Sequence, residues 1–309
     1  MPIEPELVSI APQRETLLTI GVFDGVHAGH RYLLERLQLR AAEKSLLSAV
    51  LTFNPHPQSV LHPQSQLRWL SDVEDRVKSL QGLGIDLVAV LTFSPEVARL
   101  SAREFMSLVR KHLRMRGVMV GPDFALGRGR EGSIHLLRTL GRELEFSVET
   151  IPPYTINGEV VSSTLIRQAL AEGDTRKVHR LMGRYFHVRG TVITSDKRGR
   201  VLGFPTANLD IKPQQALPGN GIYATITRID GKQFPSATSI GTRPTFGGGK
   251  ETVETYLLDY DGDLYGKEMT VEFVQRLRDE QCFSSSEELK TQIEKDVREV
   301  EAILAKEAR

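Results

Sequence analysis

The run Gly21-Val-Phe23-Asp24-Gly-Val-His27-Ala-Gly29-His30 sets two histidines three residues apart among glycines, directly after an apolar stretch and at the opening of a helical pattern. Glycine lets backbone approach a phosphate closely, and a helix N-terminus supplies N–H groups with a partial positive charge. Histidines at this spacing can converge on one set of phosphate oxygens and stabilise charge developing at phosphorus without covalent chemistry. The same spacing also suits a pair of surface or turn histidines, or two ligands of a metal ion. Against a metal, no cysteine lies nearby and Asp24 is the only acidic neighbour. The position after the first strand favours a nucleotide phosphate.

A second stretch, Gly199-Arg200-Val-Leu-Gly203-Phe204-Pro205-Thr206-Ala-Asn208, puts glycines ahead of a Pro-Thr step. Such a loop could wrap phosphates, and Thr206 and Asn208 offer the neutral oxygens that Mg²⁺ accepts beside a nucleotide. A plain turn leading into a strand is the commoner outcome of these residues. No Walker A loop backs a kinase: Gly247-Gly-Gly249-Lys250-Glu251 lacks the leading glycine and the Ser/Thr after lysine, and reads as a hairpin tip. Gly127-x-Gly129-x-x-Gly132, with Glu149 further on, matches the dinucleotide fingerprint. It follows the fourth strand instead of the first and carries Arg128 and Arg130, so it reads as an anion-facing loop and not an NAD site.

These motifs need elements to hold them. Segments 17–23, 48–53, 86–93, 117–121 and 147–151 read as short buried strands separated by amphipathic helices. Two of the helices open on capping-box patterns, Ser71 with Glu74 and Ser101 with Glu104. Alternating βα units imply a Rossmann-like, doubly wound parallel sheet, with ligands at the C-terminal strand edge. From about residue 186 the pattern turns β-rich: 186–194, 221–229, 234–240, 252–260 and 269–274. Asp230-Gly231, the glycine run 247–249 and Asp261-Gly262 punctuate them, which predicts a β-barrel or sandwich. A closing helix is predicted from Ser284 or Ser285, capped with Glu287 or Glu288, with Leu289, Ile293, Val297, Val300 and Leu304 as its stripe. The boundary is expected at 184/185, after the helical run 165–182, giving domains 1–184 and 185–309.

Composition fits a two-domain globular chain of 309 residues, 40% apolar and 26% charged. With 40 basic against 39 acidic residues the net charge is +1, which argues against a nucleic-acid surface. No apolar run approaches the roughly 20 residues that span a membrane, and the acidic, proline-bearing start lacks a signal-peptide pattern. A single cysteine, Cys282, excludes an internal disulfide. The expected location is the cytoplasm. Self-association stays open.

Further stretches give the run GVFDGVHAGH a context: Phe53-Asn54-Pro-His56-Pro57, Gly121-Pro-Asp123-Phe124-Ala-Leu126-Gly127-Arg128-Gly129-Arg130-Glu-Gly132, and Ser162-Ser163-Thr164-Leu-Ile-Arg167. In this order they resemble the adenylyltransferase module of the bacterial bifunctional riboflavin kinase/FMN adenylyltransferases, or FAD synthetases. GFPTAN, GNGIYA, SIGTRPTF, VETYLLD, DLYGK and RDEQCF then resemble the riboflavin kinase module, so the likeness runs from Thr16 to about Asp296. The resemblance implies a nucleotidyltransferase domain followed by a β-barrel kinase domain with a C-terminal helix. It implies ATP-dependent phosphorylation of riboflavin to FMN in the second half and adenylylation of FMN to FAD, releasing pyrophosphate, in the first. Riboflavin, FMN, FAD and ATP are the implied partners, with Mg²⁺.

By the same resemblance His27 and His30 act at the α-phosphate of ATP, with Gly21, Phe23, Asp24 and Gly29 shaping the phosphate loop. Ser163, Thr164 and Arg167 hold the departing pyrophosphate. Asn54, His56, Pro57, Asp123, Phe124, Arg128 and Arg130 face flavin or nucleotide. In the kinase half Gly203, Pro205, Thr206 and Asn208 hold ATP and Mg²⁺, with the metal on Thr206 and Asn208. Glu254 takes the ribityl proton, and Arg278, Glu280 and Phe283 contact the flavin. The sequence departs from the family pattern at Tyr256, Cys282 and Leu126, positions that bear on flavin affinity. A chain with one decayed half, or a flavin carrier without turnover, would have lost catalytic groups that are intact here. An RNA-binding regulator would need a basic stripe with stacking aromatics.

Overall fold

The computed structural model describes residues 3–65, 67–194, 203–243 and 250–307. Gly199, Arg200, the end of SIGTRPTF and the glycine run 247–249 lie outside them. Two compact units, Met1–Ser162 and Ser163–Arg309, make up the chain.

The first unit runs α1 (Glu4–Ser9), β1 (Thr16–Ile20), α2 (Ala28–Glu43), β2 (Leu47–Asn54), α3 (Pro57–Leu61), α4 (Val73–Gly82), β3 (Leu87–Thr92), α5 (Pro95–Ala98), α6 (Ala102–His112), β4 (Met115–Val120), β5 (Ala125–Leu126), β6 (Gly132–Ser133), α7 (Ile134–Glu143), β7 (Ser147–Thr150), β8 (Thr155–Ile156) and β9 (Glu159–Val160). Five strands form one sheet in the order β3-β2-β1-β4-β7, every pairing parallel. Successive residues on a strand face opposite sides, and the cores obey this. Leu18, Ile20, Leu51 and Phe53 join α6 and α7 in one cluster. Leu17 and Val50 join Leu34, Leu37 and Leu80 of α2 and α4 in another. Hydrophobic layers on both faces explain why these strands read as unbroken apolar runs. After β1 the chain winds toward β3, then returns to the other side at β4. The switch point, where such sheets bind ligands, lies beyond the C-terminal ends of β1 and β4.

One capping box forms and one does not. Ser101 accepts from Glu104 N while Glu104 accepts from Ser101 N, as expected. Helix α4 is instead capped by Asp72, whose side chain accepts from Asp75 N. Ser71 is drawn away by the loop at residues 24–25: its amide donates to Asp24, and its hydroxyl accepts from Gly25 N.

The second unit opens with α8 (Ser163–Ala171) and α9 (Thr175–Met182), then β10 (Phe186–Ile193), β11 (Thr206–Asp210), β12 (Gly221–Ile229), β13 (Lys232–Arg243), β14 (Lys250–Leu257), β15 (Glu268–Arg278) and α10 (Ser286–Glu307). The expected helical run is two helices, because Gly173 takes a positive φ of 75° and Asp174 caps a new start. Both pack with the barrel: Thr175 donates its hydroxyl to Val274 O, Arg176 donates to Gln275, and Leu170 O accepts from Gly219 N. The packing division therefore falls at 162/163.

Strands β10-β11-β14-β13-β12-β15 close into an antiparallel barrel. Asp230 and Gly231, at φ 50° and 76°, make the two-residue turn between β12 and β13 that this pair demands. Strand β11, absent from the β-rich segments read from sequence, follows the Pro-Thr step where a turn leading into a strand is expected, and without it the barrel would not close. Inside, Thr225, Thr227, Ser236, Thr238 and Thr255 are fully buried and linked hydroxyl to hydroxyl at 2.7–3.0 Å. Helix α10 is capped by Ser285, which accepts from Glu288 N. Its Val300 and Ile303 are buried against the barrel cluster of Ala224, Leu258 and Val274.

Candidate active sites

In the first unit the loop after β1 sits at the switch point. It is tightly wound: Phe23, Gly25 and Val26 have φ of 54°, 79° and 40°. A β-branched residue adopts such a φ only where its surroundings force it. The forcing groups are visible. Asp24 is buried and accepts from Leu70 N at 3.0 Å and Ser71 N at 3.0 Å. Arg76 is also buried and donates to Val22 O at 2.7 Å and Phe53 O at 3.0 Å.

Beyond this turn His27 caps α2, its Nδ1 accepting from His30 N at 3.3 Å. The His27 and His30 rings stack with centroids 3.6 Å apart and planes 16° apart, and Phe23 lies 5.0 Å from the His30 ring. Gly29 fits the crowding, since a Cβ there would stand 3.1 Å from Val161 O and 3.2 Å from the His27 ring. Burial, the neighbouring His27 and the Arg76 charge, in that order, hold the His30 imidazole well below its ordinary pKa. Among the described residues no group of three or more His, Cys, Asp or Glu could hold a metal.

Beside the loop lies a cavity of about 540 Å³, lined by Gly21, Val22, Phe53, Pro57, Phe93, Phe105, Phe124, Leu126 and Arg130 among others. Its walls are mostly apolar, and its size suits a planar aromatic ligand. Asn54 and His56 line a smaller polar niche with Asp24, Trp69, Ser71 and Arg76. His56 also caps α3, accepting from Gln58 N. Asp123 and Arg128 are exposed in the loop after β4, and Arg130 donates to Asp123 O at 3.2 Å. The Gly127–Gly132 stretch is a short turn between β5 and β6 and is not itself the first βα turn, and Glu149 pairs with Arg40 and Lys44. This geometry is not that of a dinucleotide fingerprint. Ser163, Thr164 and Arg167 occupy the start of α8 in the second unit, where Ser163 and Arg167 share a helix face.

In the second unit, register assembles the kinase candidates. On β11 and β14, Asn208 stands opposite Glu254 and Thr206 opposite Tyr256. Such partners have Cβ atoms about 5 Å apart, and residues two apart share a face. Four side chains thus share one face of the barrel wall, with Asn208 buried. Thr206, Glu254 and Tyr256 line a cavity of about 360 Å³ with Phe204, Thr238, Ser239, Arg278, Glu280, Phe283, Leu289 and Ile293. Phe204 meets Tyr256 edge-on at 5.3 Å, beside Gly203 and Pro205. Burial, then Asp259, raises the Tyr256 pKa, so the phenol stays neutral.

Helix α10 closes this cavity and is clasped there. The Arg278 guanidinium grips buried Asp296 through Nε at 2.9 Å and Nη2 at 2.7 Å, and it lies 5.9 Å from the Phe283 ring. Gln292 also donates to Asp296. Glu280 lies against Gly241, where any Cβ would collide with its carboxylate.

Sequence reasoning missed Arg76, Thr52, Ser239 and Asp296, and it read Ser71 only as a helix cap. One signal existed: Arg76 lies four residues before Leu80, on the face of α4 that enters the core. The tertiary pairings of the others leave no local trace.

Comparison with known proteins follows the same division. Residues 9–165 match the family model described as FAD synthetase, and residues 182–304 the one described as riboflavin kinase. The bifunctional riboflavin kinase/FMN adenylyltransferase of Escherichia coli K12 is 38% identical over 94% of this chain and 93% of its own length. That of Pseudomonas fluorescens is 39% identical over 96% and 95%, and that of Listeria monocytogenes 34% over 94% and 93%. A crystal structure from Streptococcus pneumoniae, named a macrolide-efflux protein, superposes with a TM-score of 0.88 at 28% identity over 96% of both chains. Among the described residues no helix is long and apolar enough to cross a membrane. With a parallel-sheet unit leading and a barrel following, both matched in order, the chain belongs to the bifunctional riboflavin kinase/FMN adenylyltransferase family, its FAD synthetase half first and its riboflavin kinase half second.

Proposed function

We propose that the two activities of this FAD-forming enzyme run on the residues named above, with adenylylation carried by residues 1–184 and phosphorylation by 185–309. The observation that carries the kinase assignment is the cross-strand register of β11 and β14, which sets Asn208 beside Glu254 and Thr206 two residues along the same face. One carboxylate beside two neutral oxygen donors is the set that phosphoryl transfer to a hydroxyl requires. Glu254 accepts the proton of the riboflavin 5′-hydroxyl as that oxygen attacks the γ-phosphorus of ATP, giving FMN and ADP. Thr206 and Asn208 suit Mg²⁺ by donor chemistry, being uncharged oxygens that leave the carboxylate for the proton. The bound ion supplies neutralising charge on the phosphates. Arg278, Glu280 and Phe283 shape the flavin wall of the 360 Å³ cavity, and Gly203 and Pro205 the nucleotide loop.

In the first half the ring of FMN takes the 540 Å³ cavity, against Phe124 and Pro57. Its phosphate oxygen attacks the α-phosphorus of ATP beside His27 and His30, and pyrophosphate leaves toward Ser163, Thr164 and Arg167. The low pKa of His30 makes it a neutral hydrogen-bond donor to the developing charge. Gly21, Phe23, Asp24 and Gly29 set the loop; Asn54, His56, Asp123, Arg128 and Arg130 line the approach. The chain works in the cytoplasm, on small-molecule substrates. Replacing His27 or His30 with alanine tests the division of labour. FAD formation from supplied FMN should fall about a hundredfold, while phosphorylation of riboflavin continues at its normal rate. A parallel fall in both would refute it.

A further inference from the structure

Arg76 is buried to 4% exposure in a place where burying a guanidinium is costly unless its donors are used. Its two Nη groups are used in a particular way, while the buried Nε has no partner. Nη1 donates to the carbonyl of Val22, just past β1, and Nη2 to that of Phe53, next to the last residue of β2. A planar fork that spans two carbonyls fixes their separation as well as their direction. Those carbonyls belong to the two neighbouring strands from which the histidine loop and the Asn54–Pro57 loop depart. Thr52 adds a second donor to Val22 O at 2.9 Å. From the same stretch of chain, Leu70 and Ser71 hold Asp24, and Ser71 holds Gly25 N at 2.9 Å. The tight turn at Phe23, Gly25 and Val26 is therefore gripped from one side by the segment 70–76. Burial lowers the Arg76 pKa, Asp24 and Asp72 partly offset this, and the guanidinium's charge in turn reaches His30.

We propose that Arg76 is a positioning residue for adenylyl transfer, clamping the ends of β1 and β2 so that His27 and His30 meet the α-phosphate in one fixed geometry. This rests on the reading of the two histidines given above. A residue that only filled the core would be served better by an apolar side chain, whereas a clamp needs donors aimed at strand-end carbonyls. Because both of its engaged donors go to backbone carbonyls, its loss should appear in the chemical step and not in binding. A misplacement of about 1 Å costs about a hundredfold in rate.

The test compares Arg76→Met, Arg76→Lys and His30→Ala in the full chain, following FAD formation from FMN and ATP, with thermal melts of each. Arg76→Met should lower kcat about a hundredfold with both KM values within about threefold. Arg76→Lys, which keeps a charge and a donor but loses the fork, should recover in part, to within about tenfold of the original rate. Riboflavin phosphorylation should stay unchanged in all three. If Arg76→Met melts below the assay temperature, Thr52→Val replaces it: a kcat loss at constant KM supports the clamp, and unchanged kinetics overturn it. Normal kcat in a folded Arg76→Met, or equal loss in the Lys and Met variants tracking a lowered melting point, would overturn the proposal while leaving the histidines in place. Full activity in His30→Ala would overturn the histidine reading and the clamp with it.

Discussion

Replacing Glu254 with glutamine removes one proton acceptor and almost nothing else. The side chain keeps its length and planar end, so the cross-strand contacts with Asn208 on β11 and Ser239 on β13 should survive. Lost is the charge that takes the ribityl proton. General-base catalysis contributes about 10² to 10⁴ in rate. Taking the middle of that range, a thousandfold loss corresponds to about 4 kcal/mol of barrier at 1.36 kcal/mol per decade. Glu254→Asp tests position separately, because it keeps the base but withdraws it by about one bond length, near 1.5 Å, which costs about a hundredfold. The assay is conversion of riboflavin to FMN with ATP and Mg²⁺, read by flavin chromatography. Adenylylation of added FMN by the same protein serves as the internal control. The reasoning predicts a kcat fall of about a thousandfold for glutamine and less for aspartate, with the KM for riboflavin little moved and FAD formation intact. A glutamine variant within about fivefold of the original kcat would remove Glu254 from the proton transfer. Equal losses in both activities would mean that the substitution disturbs folding.

Two further outcomes follow from charges held in unusual places. Asp296→Ala strips the buried partner from Arg278, a change that commonly costs about 3–5 kcal/mol; the second unit should melt earlier and bind riboflavin more weakly, and an unchanged melting curve would refute the clasp. Tyr185 has its pKa pushed up to about 12 by burial and by its hydrogen bond to Glu307 at 2.7 Å, so the folded chain holds that proton more tightly than the unfolded one. Its contribution is complete below pH 10 and fades as pH rises to about 12. Between those limits the original protein should lose more thermal stability than Tyr185→Phe, and identical pH curves would count against the argument.

The parallel sheet was legible because burial on both faces writes itself as apolar runs, and the capping box at Ser101 because both partners are local. What failed was whatever depended on distant partners. Ser71 with Glu74 has the same local pattern as Ser101 with Glu104, yet the pull of Asp24 and Gly25 decides where its hydroxyl goes. Strand β11 is five residues long, mixed in polarity and preceded by a proline, so no period could emerge from it. Its partner β14 makes it a strand. The helices α8 and α9 read correctly as helices, and their packing with the barrel depends on Thr175, Arg176 and Gly219 meeting partners across long stretches of chain.

The site residues divide in a way that motif matching alone does not show. Asp24 and Arg278 carry full charges and stand in the motifs, which makes them natural candidates for direct contact with phosphate or flavin. In the folded chain their charges are already committed, Asp24 to two backbone amides and Arg278 to Asp296. A buried charge satisfied internally has little to offer an incoming ligand, and removing it damages the frame before it affects binding. Groups placed to contact substrates must face a cavity, as Glu254 and Thr206 face the 360 Å³ space. Arg76 extends the same logic to a position outside every motif. Its charge is spent on two carbonyls, and what it secures is the geometry of the loop that carries the histidines. Charged residues fixed in this way hold the frame, and the uncharged groups beside them are the candidates for contact with the phosphates.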